Sequence, residues 1–410
     1  MTSVAAPAQT QSPSRGHRVE QIGLFALFAM AATIQFSIAI GQSFFAIAAI
    51  CWVTRLITER ETPAAPRFFW PLLAYAGATL VSAAFSANPA IGFADSKQLL
   101  LFLIVPITYR LLTGPHVHEK RPPDGHTNQR VANLLTLIMT VGAASAALGI
   151  FQYGLLHYDQ LSQRPQGTLG HYMTYSGLLM LVVGVALARL LFAKDERLWP
   201  ALVMPALIMA LALTSTRSAW VGICVSAGVL LTLKDFRLLA VLPIVGAITF
   251  AAAGPAITHR LMSTFDSKDP TRRDRVAMLH EGELMVRAHP WVGVGPNMVE
   301  KLYSQYRVPE AVEQVNPHLH NVPVQIAAER GLPALAIWLT FIGVLAFDLL
   351  RLVRRPAART AAAAAIAALV SMLAAGMFEY NFGDSEFLML LLVLVTIPFA
   401  VQTPEDASHA

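Results

Sequence analysis

The chain has 410 residues, 55 % of them hydrophobic, and only 13 % are Lys, Arg, Asp or Glu. A soluble domain carries roughly 25 % charged residues, so this chain lacks the polar surface a water-soluble globule needs, and its mean hydropathy of +0.53 agrees. That excludes a soluble globular enzyme, a disordered chain and a typical nucleic-acid binder; a net charge of +5 with a pI near 9.3 fits a membrane protein with basic inner loops better than a nucleic-acid partner.

The first twenty residues are polar, with Arg15, His17 and Arg18 ahead of the first apolar run. No small-residue cleavage site follows, so that run reads as a retained helix. A spanning helix needs about 20 apolar residues. Twelve segments qualify: 20–36, 41–57, 68–85, 97–113, 131–156, 171–193, 198–214, 217–233, 238–254, 334–353, 360–379 and 386–402. None alternates as a strand would, which argues against a β-barrel. Cys51 and Cys224 both sit in apolar runs, so neither a disulfide framework nor a metal site is expected.

Short loops set the orientation. With the N-terminus inside, one set of loops holds Arg55, Arg60, Arg67, Lys120, Arg121, Arg130, Lys194, Arg197, Lys234, Arg237, Arg351, Arg354, Arg355 and Arg359. The opposite short loops hold Lys97, Arg164 and Arg217. Both termini are therefore expected in the cytoplasm. Residues 255–320 form one long polar outer segment with eight Lys/Arg, eight Asp/Glu and five of the twelve histidines. A balanced loop of that length reads as folded and functional. Within it, 271–289 reads as a helix ended by Pro290. Residues 321–330 read as a short amphipathic helix on the outer membrane surface, and Gly331-Leu332-Pro333 turns the chain into the next span.

Ionisable groups at helix mouths are costly and usually purposeful. Arg217 breaks an apolar region and is flanked by hydroxyls in Thr214-Ser215-Thr216-Arg217-Ser218, which suits an anion. Arg164 lies in the loop before His171-Tyr172. The outer loop offers Arg272, Arg273, Arg275 and Arg287, of which Arg275 is favoured. His318 and His320 flank Leu319, ahead of Asn321. Asp266, Asp269 and Asp274 show no metal-site spacing, and no third ligand for the His pair is evident, so no metal is expected. Gly293-Val294-Gly295-Pro296-Asn297 reads as a tight turn, because a nucleotide loop would need a strand before it.

Arginines hold phosphate oxygens bidentately and stay charged. A histidine takes a proton from a hydroxyl near neutral pH. The pairing suits attack of a hydroxyl on a carbon whose leaving group is a phosphate or pyrophosphate, with a lipid-linked donor held by the apolar bundle and no nucleotide needed.

Three local patterns, together with the topology, resemble the O-antigen ligase and O-antigen polymerase superfamily of polytopic bacterial inner-membrane proteins. They are Ser215-Thr216-Arg217-Ser218-Ala219-Trp220-Val221-Gly222, then Ala288-His289-Pro290-Trp291-Val292-Gly293-Val294-Gly295-Pro296-Asn297, and His320-Asn321 followed after nine residues by Gly331. Ala334 departs from the ligase pattern, which has Gly, Thr or Tyr there. The resemblance implies an all-α, membrane-embedded glycosyltransferase of the GT-C type with about twelve transmembrane helices. Its expected organisation is a cytoplasmic tail (1–19), helices one to nine (20–254), a large periplasmic loop with short helices (255–333), helices ten to twelve (334–402) and a cytoplasmic tail (403–410). It also implies a cofactor-free, metal-independent, inverting transfer of a glycan from undecaprenyl pyrophosphate to lipid A–core. By position His320 matches the base, Arg217 and Arg275 the pyrophosphate holders, and Arg164 a weaker third, with Asn321, His318, Arg287, His171 and Tyr172 as supporting candidates. A polymerase or a protein O-oligosaccharyltransferase is the alternative within the superfamily. A transporter is disfavoured, because Glu379 and Asp348 both fall near span ends.

Overall fold

The computed structural model describes residues 15–114, 126–160, 162–252, 258, 262 and 269–401. The expected N-terminal tail up to residue 14, Lys120 and Arg121, Asp266 with most of 253–268, and the tail 403–410 lie outside the described residues. Among the described residues there is no strand, only an isolated bridge between Gln160 and Gln163.

In chain order the helices are α1 (Arg15–Thr33), α2 (Ile38–Thr58), α3 (Phe69–Ala84), α4 (Pro89–Asp95), a 3₁₀ stretch (Ser96–Leu103), α5 (Ile104–Thr113), α6 (His126–Leu155), α7 (Tyr172–Phe192), α8 (Leu198–Leu213) and α9 (Arg217–Lys234). A 3₁₀ turn (Phe236–Ala240) leads to α10 (Val241–Ala252), α11 (Pro270–Ala288), α12 (Val299–Tyr306), α13 (Val322–Leu352), α14 (Arg359–Gly376) and α15 (Ser385–Ala400). Helix thus occurs at every expected span. Seven helical stretches among the described residues are long and apolar enough to cross a membrane, and α3, α8 and α15 are shorter apolar helices. The chain is an all-helical, multi-pass membrane protein.

Local chemistry explains the starts of the polar-loop helices. Asn88, Asp269 and Asn321 each cap a helix with the side-chain oxygen, and a proline follows in the first turn of each. The cap satisfies an orphan N–H, and the proline gives up one that has no partner anyway.

The middle of the molecule is built on α7, α14 and α15, which are almost wholly buried. Helix α14 is alanine-rich, with Ala361 to Ala365, Ala367 and Ala368 all buried. Small residues let backbones approach where lipid supplies no hydrophobic drive between helices. Gly184 of α7 faces Ala367, and Gly222 of α9 faces Ser371 and Ala375. Outer helices turn Ile22, Phe25, Ile50, Ile57, Trp70 and Leu202 outward, an apolar surface suited to acyl chains.

The basic residues of one set of helix ends are tied into ion pairs. Arg55 bonds Glu20 (3.0 Å), Glu59 (2.5 Å) and Glu61 (2.8 Å), and Arg110 grips Glu61 with Nε (2.7 Å) and Nη2 (2.6 Å). Arg67 meets Asp348 at 2.7 Å, and Arg189 bonds Glu196. Burial pushes the Glu61 carboxyl up, but hydrogen bonds and charge from Arg110 and Arg55 outweigh it and pull it down to about 2. A depressed carboxyl contributes stability above its unfolded value and loses it as pH falls through the folded one. Thermal midpoints are therefore expected to fall between about pH 4.5 and pH 2. Glu61→Gln, measured by thermal unfolding across that range, should show a lower midpoint at neutral pH and a shallower acid slope; a parallel slope would remove Glu61 from this role.

One expectation needs correction. Residues 322–330 are helical and Gly331 breaks the helix (φ 83°, ψ 167°), as read from sequence. The segment does not lie on a surface with a wet face: Gln325, Glu329 and Arg330 are buried with the apolar side chains. Polar groups pair inside, Glu329 with Arg330 at 2.6 Å and Gln325 with the Leu319 N–H at 2.7 Å. Internal pairing, invisible to a helical-periodicity count, makes a polar face buriable.

Candidate functional site

Two glycine motifs hold the site together by backbone contact. The carbonyls of Ala328 and Glu329 end the short helix before Gly331 and have no partner further along it. They accept from the N–H groups of Val294 (2.9 Å) and Gly295 (2.8 Å), while Leu332 donates to Pro290 (2.8 Å). Gly293 has φ 69°, and a Cβ there would sit 2.2 Å from the Glu329 carbonyl carbon. A Cβ on Gly331 would sit 2.3 Å from the Trp291 oxygen. The expected turn at 293–297 is thus one jaw of a clasp that orients the segment carrying His320. Gly293→Ala should cost at least about 1–2 kcal/mol for the left-handed Cβ alone, read as a lower thermal midpoint. An unchanged midpoint would mean the clasp opens freely.

His320 occupies the left-handed region (φ 48°), and so does Ser215 (φ 53°) in the turn before Arg217. Non-glycine residues hold that conformation at functional sites when their surroundings over-determine it. Here Glu379, between α14 and α15, does so. His320 Nδ1 lies 3.0 and 3.1 Å from its two carboxylate oxygens. His318 Nε2 lies 3.3 Å from the same group, with the two imidazole centroids 4.2 Å apart. Burial pushes Glu379 up; hydrogen bonds from His318 and His320, then their charges, outweigh it and hold the carboxyl below its ordinary range. An ionised carboxylate only accepts, so the His320 hydrogen at Nδ1 points to Glu379, and in the neutral imidazole Nε2 then holds the lone pair. That is the tautomer a general base needs.

His320 lines a cavity of about 300 Å³ together with Arg217, Ser218, Arg272, Arg275 and an apolar wall that includes Val221, Val276, Leu279 and Phe378. Helix α11 explains the arginine placement. Its residues 272, 275, 276 and 279 form one face toward the cavity. The opposite face binds the following loop: Asp274 accepts from the N–H groups of Val312 and Glu313 (both 3.0 Å) and from Asn316 (3.2 Å), and Glu281 accepts from Val308 (3.2 Å). Arg217 opens α9, whose cap residue Thr216 makes no side-chain cap bond, and it donates to Asp269 at 2.9 Å. Burial raises and the Arg217 contact lowers the Asp269 carboxyl, with a net downward shift.

Arg164 lies over the Tyr172 ring at 4.0 Å. Burial lowers the Arg164 and Arg275 pKa values, and the Arg217 charge lowers both further. The Arg164 and Arg275 guanidiniums, drawn from separate segments, therefore lie within reach of the Arg217 charge, and Arg275 also feels Glu379 and Asp269.

The other candidates divide. His171 stacks on Tyr172 with centroids 5.4 Å apart. Asn321 caps α13 through Val324 N–H (3.0 Å) and donates to the Met377 carbonyl (3.1 Å), so it positions His320 and the Glu379 loop. Arg287 is not brought to the cavity; it is exposed and pairs with Glu283 at 2.6 Å along α11. Glu379 and Asp269 join the site unforeseen. Glu379 stands at a span end in the sequence, and only the fold brings it to the histidines.

Glu379 also supplies the third group that spacing alone did not offer for a metal. Ligand atoms of His318, His320 and Glu379 lie within 4.8 Å of one another, a set of the kind that binds zinc with an open position. The neighbouring Arg275 charge opposes a cation there.

Residues 201–339 match the family model described as O-antigen ligase. The match spans Arg217, the arginine face of α11, the glycine clasp and His320. No curated protein matches the chain.

Proposed function

We propose that this chain, a member of the O-antigen ligase and polymerase superfamily through residues 201–339, is an O-antigen ligase. It moves a glycan from undecaprenyl pyrophosphate to a sugar hydroxyl of lipid A–core, at the periplasmic face of a bacterial inner membrane, with both termini cytoplasmic. One observation supports this most: a cavity that pairs arginines with an apolar wall and ends on His320, itself oriented by Glu379. Guanidiniums suit a pyrophosphate, the wall suits a prenyl chain, and the imidazole suits a hydroxyl proton.

In this reading His320 Nε2 takes the proton of the acceptor hydroxyl. The oxygen bonds to the anomeric carbon as that carbon's bond to the pyrophosphate oxygen breaks. Undecaprenyl pyrophosphate leaves with the electron pair, and Arg217 and Arg275, with Arg164 behind them, neutralise it. Direct displacement inverts the anomeric carbon.

The test is to incubate purified protein with undecaprenyl-pyrophosphate glycan and, separately, lipid A–core, a peptide, or a second donor glycan. Glycosylated lipid A–core is expected; glycosylated peptide or an extended glycan would reassign the acceptor. Arg217→Lys should weaken donor binding about tenfold or more, since a point charge does not replace a planar fork. Unchanged donor affinity would remove Arg217 from the pyrophosphate. Chelation with EDTA should leave turnover unchanged, because the histidines serve as a proton acceptor and its neighbour; a loss restored by a divalent ion would give the trio to a metal instead.

A further inference from the structure

A second cavity, of about 190 Å³, is lined by His318 and Glu379, the groups beside His320. His320 faces the arginine cavity, whereas His318 and Glu379 line the second one with Thr174, Tyr380, Asn381 and Asp384. No Lys or Arg lines it. Its two carboxylates would repel a phosphate, so it is chemically unlike its neighbour.

What it offers is acceptors. Nε2 of His318 points to Glu379, and Nδ1, which holds a lone pair in the neutral imidazole, is buried without a partner. Oδ1 of Asn381 is likewise buried and unpartnered. Asp384 accepts from Thr174 Oγ1 and from the Phe387 N–H, and an ionised carboxylate has further lone-pair sites. The Glu379 and Asp384 carboxylates put further lone-pair sites on the cavity wall, and a neutral molecule rich in hydroxyl donors suits them. The rings of Tyr380 and Phe387 add flat apolar surface, as a sugar's C–H face requires.

We infer that this second cavity is the acceptor subsite, holding a neutral saccharide ring of the acceptor beside the His318–Glu379–His320 wall. The inference rests on the ligase reading above. In a direct displacement the nucleophile enters opposite the leaving group. With pyrophosphate at the arginines, the acceptor hydroxyl approaches at His320, whose partner Glu379 lines this cavity.

The experiment uses the full chain in lipid nanodiscs, undecaprenyl-pyrophosphate glycan and lipid A–core. Thr174→Val removes one hydroxyl at constant shape, and Asp384→Asn removes the charge while keeping an oxygen for the Phe387 N–H. Acceptor KM should rise about threefold for Thr174→Val and about tenfold or more for Asp384→Asn. Donor KM should stay within about twofold in both, thermal midpoints should hold, and Thr174→Ser should behave as the parent chain. A rise in donor KM alone would assign the cavity to the donor glycan and overturn the inference, as would no change in either constant. If the parent chain itself transfers to no saccharide acceptor, the ligase reading fails and this inference falls with it.

Discussion

His320→Ala is expected to lower glycan transfer about 10²–10⁴-fold, the usual contribution of a positioned general base. The donor should still bind, because the arginines that face the cavity come from α9 and α11 and remain in place. Alanine also inherits a left-handed backbone (φ 48°), so a loss of activity alone would not separate chemistry from folding. His320→Asn does: asparagine tolerates that conformation and offers no basic nitrogen. Both variants should be equally inactive and monodisperse. Activity within about threefold of the parent in either one would remove His320 from the base role.

Glu379→Gln is the second large effect, an expected loss of about 10²-fold or more. An ionised carboxylate accepts from both imidazoles at 3.0–3.3 Å and fixes the His320 hydrogen on Nδ1. A neutral amide has one oxygen for two donors and an NH₂ that repels the second N–H, so the tautomer and ring angle are released. Because the carboxylate acts through His320, the losses should not add: His320→Ala combined with Glu379→Gln should be no slower than His320→Ala alone. Additive losses would mean that Glu379 works independently of the histidine. The substitution also leaves the Tyr380 N–H bond to the side-chain oxygen available (3.1 Å), which preserves the local loop.

Much of this protein was legible in residue order. Apolar runs placed every helix of the bundle, because length and hydropathy are local properties. The loop helix came out at 270–288 against an expected 271–289, since Asp269, Pro270 and Pro290 punctuate it. Of the residues singled out in the sequence, Arg217, Arg275 and His320 line one cavity; Arg217 stood out because a charge at a helix mouth is expensive. The role of Arg287 was not legible: it shares a helix with Arg275, and only the packing of α11 says which face looks into the cavity.

Sequence by itself therefore determined the membrane class, the helical segments and a set of charged candidates. Tertiary structure decided which of them meet. It buried the 322–330 helix that amphipathic spacing had put on a surface. It brought Glu379, 59 residues beyond His320, to the imidazoles, and it split the site into an arginine cavity and an acceptor-rich one. The physical reason is that helix formation is read from neighbours along the chain, whereas a hydrogen bond between loops depends on how the buried helices α7, α14 and α15 set their ends side by side.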